Sequence, residues 1–232
     1  MTEAELAALV REVVKQVVAE AEQPKVAPAP ADQEARPVWS RGPRHRPLPP
    51  PRNASALDAL VAATPSRIVT GRTGTRYLTS SYLGLRADHA IALDAVESEV
   101  PDGWAAQQGW VPLKTRAVDH TDFFLHPDHG RALDDASRAV VEKVDQRADL
   151  QLIAGDGLSA HALLTNGPAL IAALTTELKG QGFTVGQPLF VKYARIGVQD
   201  EIGVLTRAKA TLIVVGERPG LGTGDALSIY TA

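Results

Sequence analysis

Nine of the sixteen prolines stand between Pro24 and Pro51, and that concentration fixes what the rest of the chain can become. Proline removes a backbone donor and holds φ near −65°, so a stretch this dense cannot build helix or sheet ladders. Residues 23–53 are therefore expected to be a disordered, semi-stiff linker. The chain then divides into a short N-terminal segment of residues 1–22, the linker, and a domain of residues 54–232. The latter half of the linker is basic, with Arg36, Arg41, Arg44, His45, Arg46 and Arg52, and reads as a solubilising tether.

Before the linker, Leu6, Leu9, Val10, Val13, Val14, Val17 and Val18 recur at steps of three and four. They form one apolar stripe of a helix, with Glu5, Glu12, Lys15 and Gln16 largely off it. Thr2 and Glu5 have the spacing of a capping box. A helix of this kind on a tether has no domain of its own to cover it, so it is expected to dock on a partner.

After the linker the pattern becomes regular. Asp149–Ala154, Pro188–Ile196 and Ala210–Val215 read as strands. Helical segments through about Gln181 separate the first two, and a helix from Asp200 to about Lys209 separates the second and third. Strands alternating with helices imply an α/β domain, a Rossmann-like and mostly parallel sheet with helices on both faces. Upstream, Ala54–Ala63 and Arg76–Val100 read as helices around a turn at Thr70-Gly71-Arg72-Thr73-Gly74. Asp122–Leu125 reads as a strand, and Pro127 as the opening of a helix running to about Gln146. Aromatic residues are only 5% of the chain, so the core is expected to be aliphatic.

Ligands of open parallel sheets bind beyond the carboxyl ends of the strands. Three such ends are legible: Gly155-Asp156-Gly157-Leu158-Ser159, Tyr193-Ala194-Arg195-Ile196-Gly197, and Gly216-Glu217-Arg218-Pro219-Gly220-Leu221-Gly222. The last is not a Walker loop, since no Lys-Ser or Lys-Thr follows its glycines, and it is a poor dinucleotide fingerprint. Its glycines either bring backbone close to a ligand or merely shape a turn. Asp156 and Ser159 are candidates for ligand contact or for capping the next helix, and Arg195 is free to pair with Asp156, Glu217 or another chain.

Other chemistry is sparse. Cysteine is absent, which excludes disulfides, thiolate metal sites and a cysteine nucleophile. His126 and His129 are three apart, with Asp122 and Asp128 nearby, but the spacing completes no ligand set and no metal site is expected. No nucleophile elbow is present. The net charge of −3 gives no reason to expect nucleic acid, and no stretch reaches the length of a membrane span.

The run Phe190-Val191-Lys192-Tyr193-Ala194-Arg195-Ile196, then Asp200-Glu201-Ile202-Gly203, then Val215-Gly216-Glu217-Arg218-Pro219-Gly220-Leu221-Gly222, closely resembles the small subunits of ethanolamine ammonia-lyases. So do Thr70-Gly71-Arg72-Thr73-Gly74, Asp88-His89, Val100-Pro101 with Trp104, Pro127-Asp128 with Gly130-Arg131, and Asp156-Gly157-Leu158-Ser159. The likeness runs from about Ser66 to Tyr230 in unbroken order.

The resemblance implies a lyase assembled with a large subunit in a hetero-oligomer, inactive as this chain alone. The large subunit supplies the substrate-binding and radical-handling groups, and no catalytic residue is expected here. Adenosylcobalamin is implied at the interface, with Ile196 and Glu217 as its contacts from this chain. The family usually has valine where Ile196 stands. The N-terminal helix resembles a signal for a bacterial microcompartment of the ethanolamine-utilisation type, which implies a shell partner and that location within the cytoplasm. Family members continue past the segment matching Tyr230, with a further cofactor-contacting cysteine, so the chain is expected to be C-terminally truncated. Two rival readings share the same residues: a cofactor-free scaffold, and the small subunit of a related adenosylcobalamin-dependent dehydratase.

Overall fold

The computed structural model describes residues 52–64, 68, 71–144 and 146–232, together with Glu12 and Lys15, which are helical. The expected N-terminal stripe and the proline-rich linker otherwise lie outside the described residues. Within them the elements are α1 (Ala54–Ala62), a small hairpin of β1 (Arg72–Thr73) and β2 (Arg76–Tyr77), α2 (Thr79–Glu97), α3 (Trp104–Gln107) and β3 (Val111–Lys114). Then come α4 (His120–Leu125), a 3-10 turn (His129–Arg131), α5 (Asp135–Val141), β4 (Leu150–Gly155) and α6 (Ala160–Gly180). The chain closes on β5 (Leu189–Lys192), α7 (Val198–Thr206), β6 (Ala210–Gly216) and β7 (Leu227–Thr231).

Five strands form one sheet in the order β3-β5-β4-β6-β7. The first four are parallel, and β7 returns antiparallel along β6, pairing Val214 with Ile229 and Gly216 with Leu227. Because successive side chains on a strand point to opposite faces, each strand feeds two cores. Leu150, Leu152, Ala154, Leu212 and Val214 pack with Leu163, Ile171, Leu174 and Leu178 of α6. Ile153, Ile213 and Val215 face the other way, onto Val141 of α5 and Val198 and Ile202 of α7. The result is an α/β domain with helices on both faces of a mostly parallel sheet, as the alternation implied. Leu152, Ile153, Leu212 and Ile213 are wholly buried, each contributing roughly 2 kcal/mol of hydrophobic stabilisation.

The structure corrects four local expectations. Asp122–Leu125 is the end of helix α4 rather than a strand, because Asp119 caps it, its side chain accepting from Asp122 N. The helix expected from Pro127 is a 3-10 turn and a separate α5. Between the two, Leu133 bridges to Thr115, and Asp134 starts α5 by accepting from Ser137 N at 2.7 Å. The helix expected from Arg76 begins at Thr79, after the hairpin, and β5 ends at Lys192, short of Ile196. The strand β3, unread in the sequence, contains Pro112. It is an edge strand in which Val111 N and Thr115 N bond to β5 at 3.0 and 3.2 Å, so the position lacking an N–H faces away from the ladder.

Candidate functional site

The carboxyl ends of β4, β5 and β6 lie side by side, and a cleft of about 320 Å³ opens there. It is lined by Arg131, Gly157, Leu158, Ala194, Arg195, Ile196, Gly197, Val215, Gly216 and Glu217. All three stretches read as strand ends contribute, and Ile196 and Glu217 share the cleft.

Its floor is a close approach of backbone. Gly157 sits at φ +57°, and a Cβ there would meet the Gly216 carbonyl; one on Gly216 would meet the carbonyls of Ser159 and Asp156. Leu158 N donates to Gly216 O at 2.9 Å across the same contact. The glycines of the third stretch therefore shape turns and let the protein's own loops touch, the plainer of the two roles open to them. Gly220 and Thr223 exchange two backbone hydrogen bonds, turning the chain from β6 into β7.

Asp156 and Ser159 belong to this frame. Asp156 is buried, and its two oxygens accept from Tyr193 N at 2.9 Å and Ala194 N at 3.0 Å. It thereby holds Tyr193 in a left-handed conformation, φ 59°, that non-glycine residues seldom adopt. Burial pushes the Asp156 carboxyl up to about 6 against the opposing pull of those N–H groups. Ser159 Oγ accepts from Ala162 N at 3.1 Å, capping α6, and donates to Gly224 O at 2.6 Å.

Three side chains give the cleft its chemistry. Ile196 is 40% exposed, an apolar surface at the mouth. Glu217 accepts a 2.7 Å hydrogen bond from the Tyr230 hydroxyl of β7, which lowers its carboxyl below the usual range. Arg195 pairs with neither Asp156 nor Glu217 within this chain. It donates to Phe123 O at 3.0 Å, lies 4.3 Å from the centre of the Phe123 ring, and leaves its Nε buried without a hydrogen-bond partner. Burial, with Arg131 and Arg218 close by, lowers its affinity for its proton.

Arg131 and Tyr230 were not singled out as site residues in the sequence. Arg131 reaches the cleft from the 3-10 turn because Gly130 packs against Arg195, whose N donates to Gly130 O at 2.8 Å. Tyr230 reaches Glu217 only through the antiparallel return of β7, a pairing no local pattern announces. The cleft thus offers an apolar wall, one ionised carboxylate and two guanidinium groups.

Comparison with known proteins agrees with the motif resemblance. Residues 54–232 match the ethanolamine ammonia-lyase light chain (EutC) family. The chain is 41% identical over 177 residues to an ethanolamine ammonia-lyase small subunit of Clostridium acetobutylicum, covering 76% of this chain and 73% of that one. It is 37% identical over 183 residues to a small subunit of the same name from Clostridium perfringens, covering 78% of this chain and 62% of that one. The chain belongs to the ethanolamine ammonia-lyase light chain family.

Proposed function

We propose that this chain is the small subunit of an adenosylcobalamin-dependent ethanolamine ammonia-lyase, and that its cleft forms one wall of the cofactor site at the interface with a large subunit. The observation that carries the reading is family membership across residues 54–232, together with Ile196 and Glu217 converging on one cleft. The cleft's groups fit the cofactor in kind. Glu217 is an acceptor for the amides at a corrin's edge, the orphaned Nε of Arg195 is a donor for their carbonyls, and Ile196 offers apolar contact. Its volume is far smaller than a corrinoid, in keeping with a site completed by another chain.

The cofactor, when bound, supplies the radical chemistry by which ethanolamine becomes acetaldehyde and ammonia. This chain's residues bind and orient. Glu217 and Arg195 hold polar edges, Ile196 and Leu158 exclude water, and Asp156 keeps the β5 end in register behind them. Co-expression with a cognate large subunit and an assay for cofactor-dependent acetaldehyde release tests the reading. Activity supports it. Assembly without cobalamin retention or turnover moves the chain to the scaffold reading, and turnover of a diol instead moves it to the dehydratase.

The N-terminal stripe supports a second element of the proposal, recruitment to a bacterial microcompartment through residues 1–22. Deleting residues 1–21 is expected to leave catalysis intact and to abolish co-localisation of a fluorescent fusion with shells. A deleted fusion that still co-localises would rule that role out.

A further inference from the structure

Away from the cleft floor, helix α4 and the turn after it gather three side chains of metal-ligating type that their spacing left unassembled. Asp122 lies in α4, and His126 stands one helical turn later at its end. Pro127 stops the helix, and the 3-10 turn brings His129 back over the same carboxylate. His126 Nδ1 lies 2.7 Å from Asp122 Oδ1, and His129 Nδ1 lies 2.9 Å from Asp122 Oδ2. The two rings stack with centroids 5.0 Å apart. One ligand atom from each residue falls within 4.8 Å of the other two. We propose that Asp122, His126 and His129 bind a divalent transition-metal ion of the zinc type.

Four features support the assignment. Two imidazoles and one carboxylate suit zinc and its neighbours, whereas calcium and magnesium take oxygen ligands. Zinc bonds of about 2.0–2.1 Å set tetrahedral ligands about 3.3 Å apart, so the two histidine contacts to Asp122 Oδ1, at 2.7 and 3.1 Å, need only lengthen by a few tenths of an ångström. The surroundings already orient the ligands. Asp122 Oδ2 accepts from Val118 N at 2.9 Å, and Asp128 Oδ2 stands 3.9 Å from the distal Nε2 of His129. A metal on Nδ1 moves the ring proton to Nε2, where an outer carboxylate favours it. The histidine side chains are 55% and 38% exposed, which leaves a path for the ion and room for a water ligand. The ion would also brace the segment carrying Arg131 to the cleft wall.

Equilibrium dialysis of metal-stripped full-length chain against Zn2+ near neutral pH tests this without any assay of turnover. The expected result is one ion per chain, with affinity roughly a hundredfold lower in His126→Gln/His129→Gln and unchanged in His89→Gln/His161→Gln, which removes two histidines elsewhere. Sub-stoichiometric binding, or equal affinity in the site variant, overturns the proposal. Should the site variant fold poorly, Co2+ added to the unaltered chain decides. An intense visible spectrum of a four- or five-coordinate ion supports the site, and the spectrum of the hydrated ion alone overturns it.

Discussion

Asp156 looks, from its place after β4, like a residue waiting for a ligand, yet its carboxylate is spent on the N–H groups of Tyr193 and Ala194. Its titration gives that role a measurable sign. The unfolded carboxyl releases its proton near 3.8 and the folded one near 6, so between those values the folded chain holds more proton than the unfolded. Stability contributed at low pH is then lost as pH rises through this window, by at most about 1.4 kcal/mol per unit. The urea-unfolding free energy of the wild type minus that of Asp156→Asn is expected to decline from pH 4 to 6 and to level off above 7. A difference flat across the whole range would mean that Asp156 titrates as in water. Glu217 is the contrasting residue, at the cleft and held ionised by Tyr230. Glu217→Ala is expected to weaken cobalamin binding by the assembled complex about tenfold, the scale of one charged hydrogen bond. Unchanged affinity would remove it from the site.

The elements on either side of the cleft meet through backbone, which makes two glycines behave oppositely. Alanine at position 216 presses a Cβ onto the carbonyls of Ser159 and Asp156, neither of which can rotate away. Gly216→Ala is expected to cost about 2 kcal/mol or more. Gly180, in the last turn of α6, has nothing within 4 Å of an added Cβ, so Gly180→Ala should be neutral or stabilise by up to about 1 kcal/mol. Thermal unfolding of the two variants checks both, and equal midpoints would contradict the close approach. The run from β4 to β6 was legible because its strands are aliphatic blocks divided by helical periods. The strand β3 was not, because at a sheet edge Pro112 costs no hydrogen bond and the usual veto on proline lapses. The helix α4 was missed through its cap: Asp119, three residues before Asp122, outweighs the strand-like Phe123 and Phe124. For the site, glycine and charge after each strand marked the three stretches that line the cleft, and the family resemblance pointed to Ile196 and Glu217 within them, while Arg131 and Tyr230 depend on contacts between segments distant in sequence.

For the whole molecule, the cleft is an open surface whose proposed ligand outsizes it, so binding and assembly should be coupled. Cobalamin affinity is expected to rise roughly tenfold or more when the large subunit is added to the isolated chain, and the cofactor should strengthen assembly by the same factor. Titrations of the cofactor with and without the partner, and of the partner with and without the cofactor, measure both sides. Equal affinities in either pair would place the whole site in one subunit. The central position of β4 has a further consequence. Its neighbours β5 and β6 come later in the chain, and Ser159 is fastened to Gly224 across a separation of 65 residues. During synthesis, β4 therefore leaves the ribosome with both edges unpaired, and its carboxyl end stays unshaped until residue 224 has emerged. The cleft is among the last features to mature, and a nascent chain stalled before that point exposes bare aliphatic strand edges, the kind of surface that chaperones capture and that aggregates when they do not.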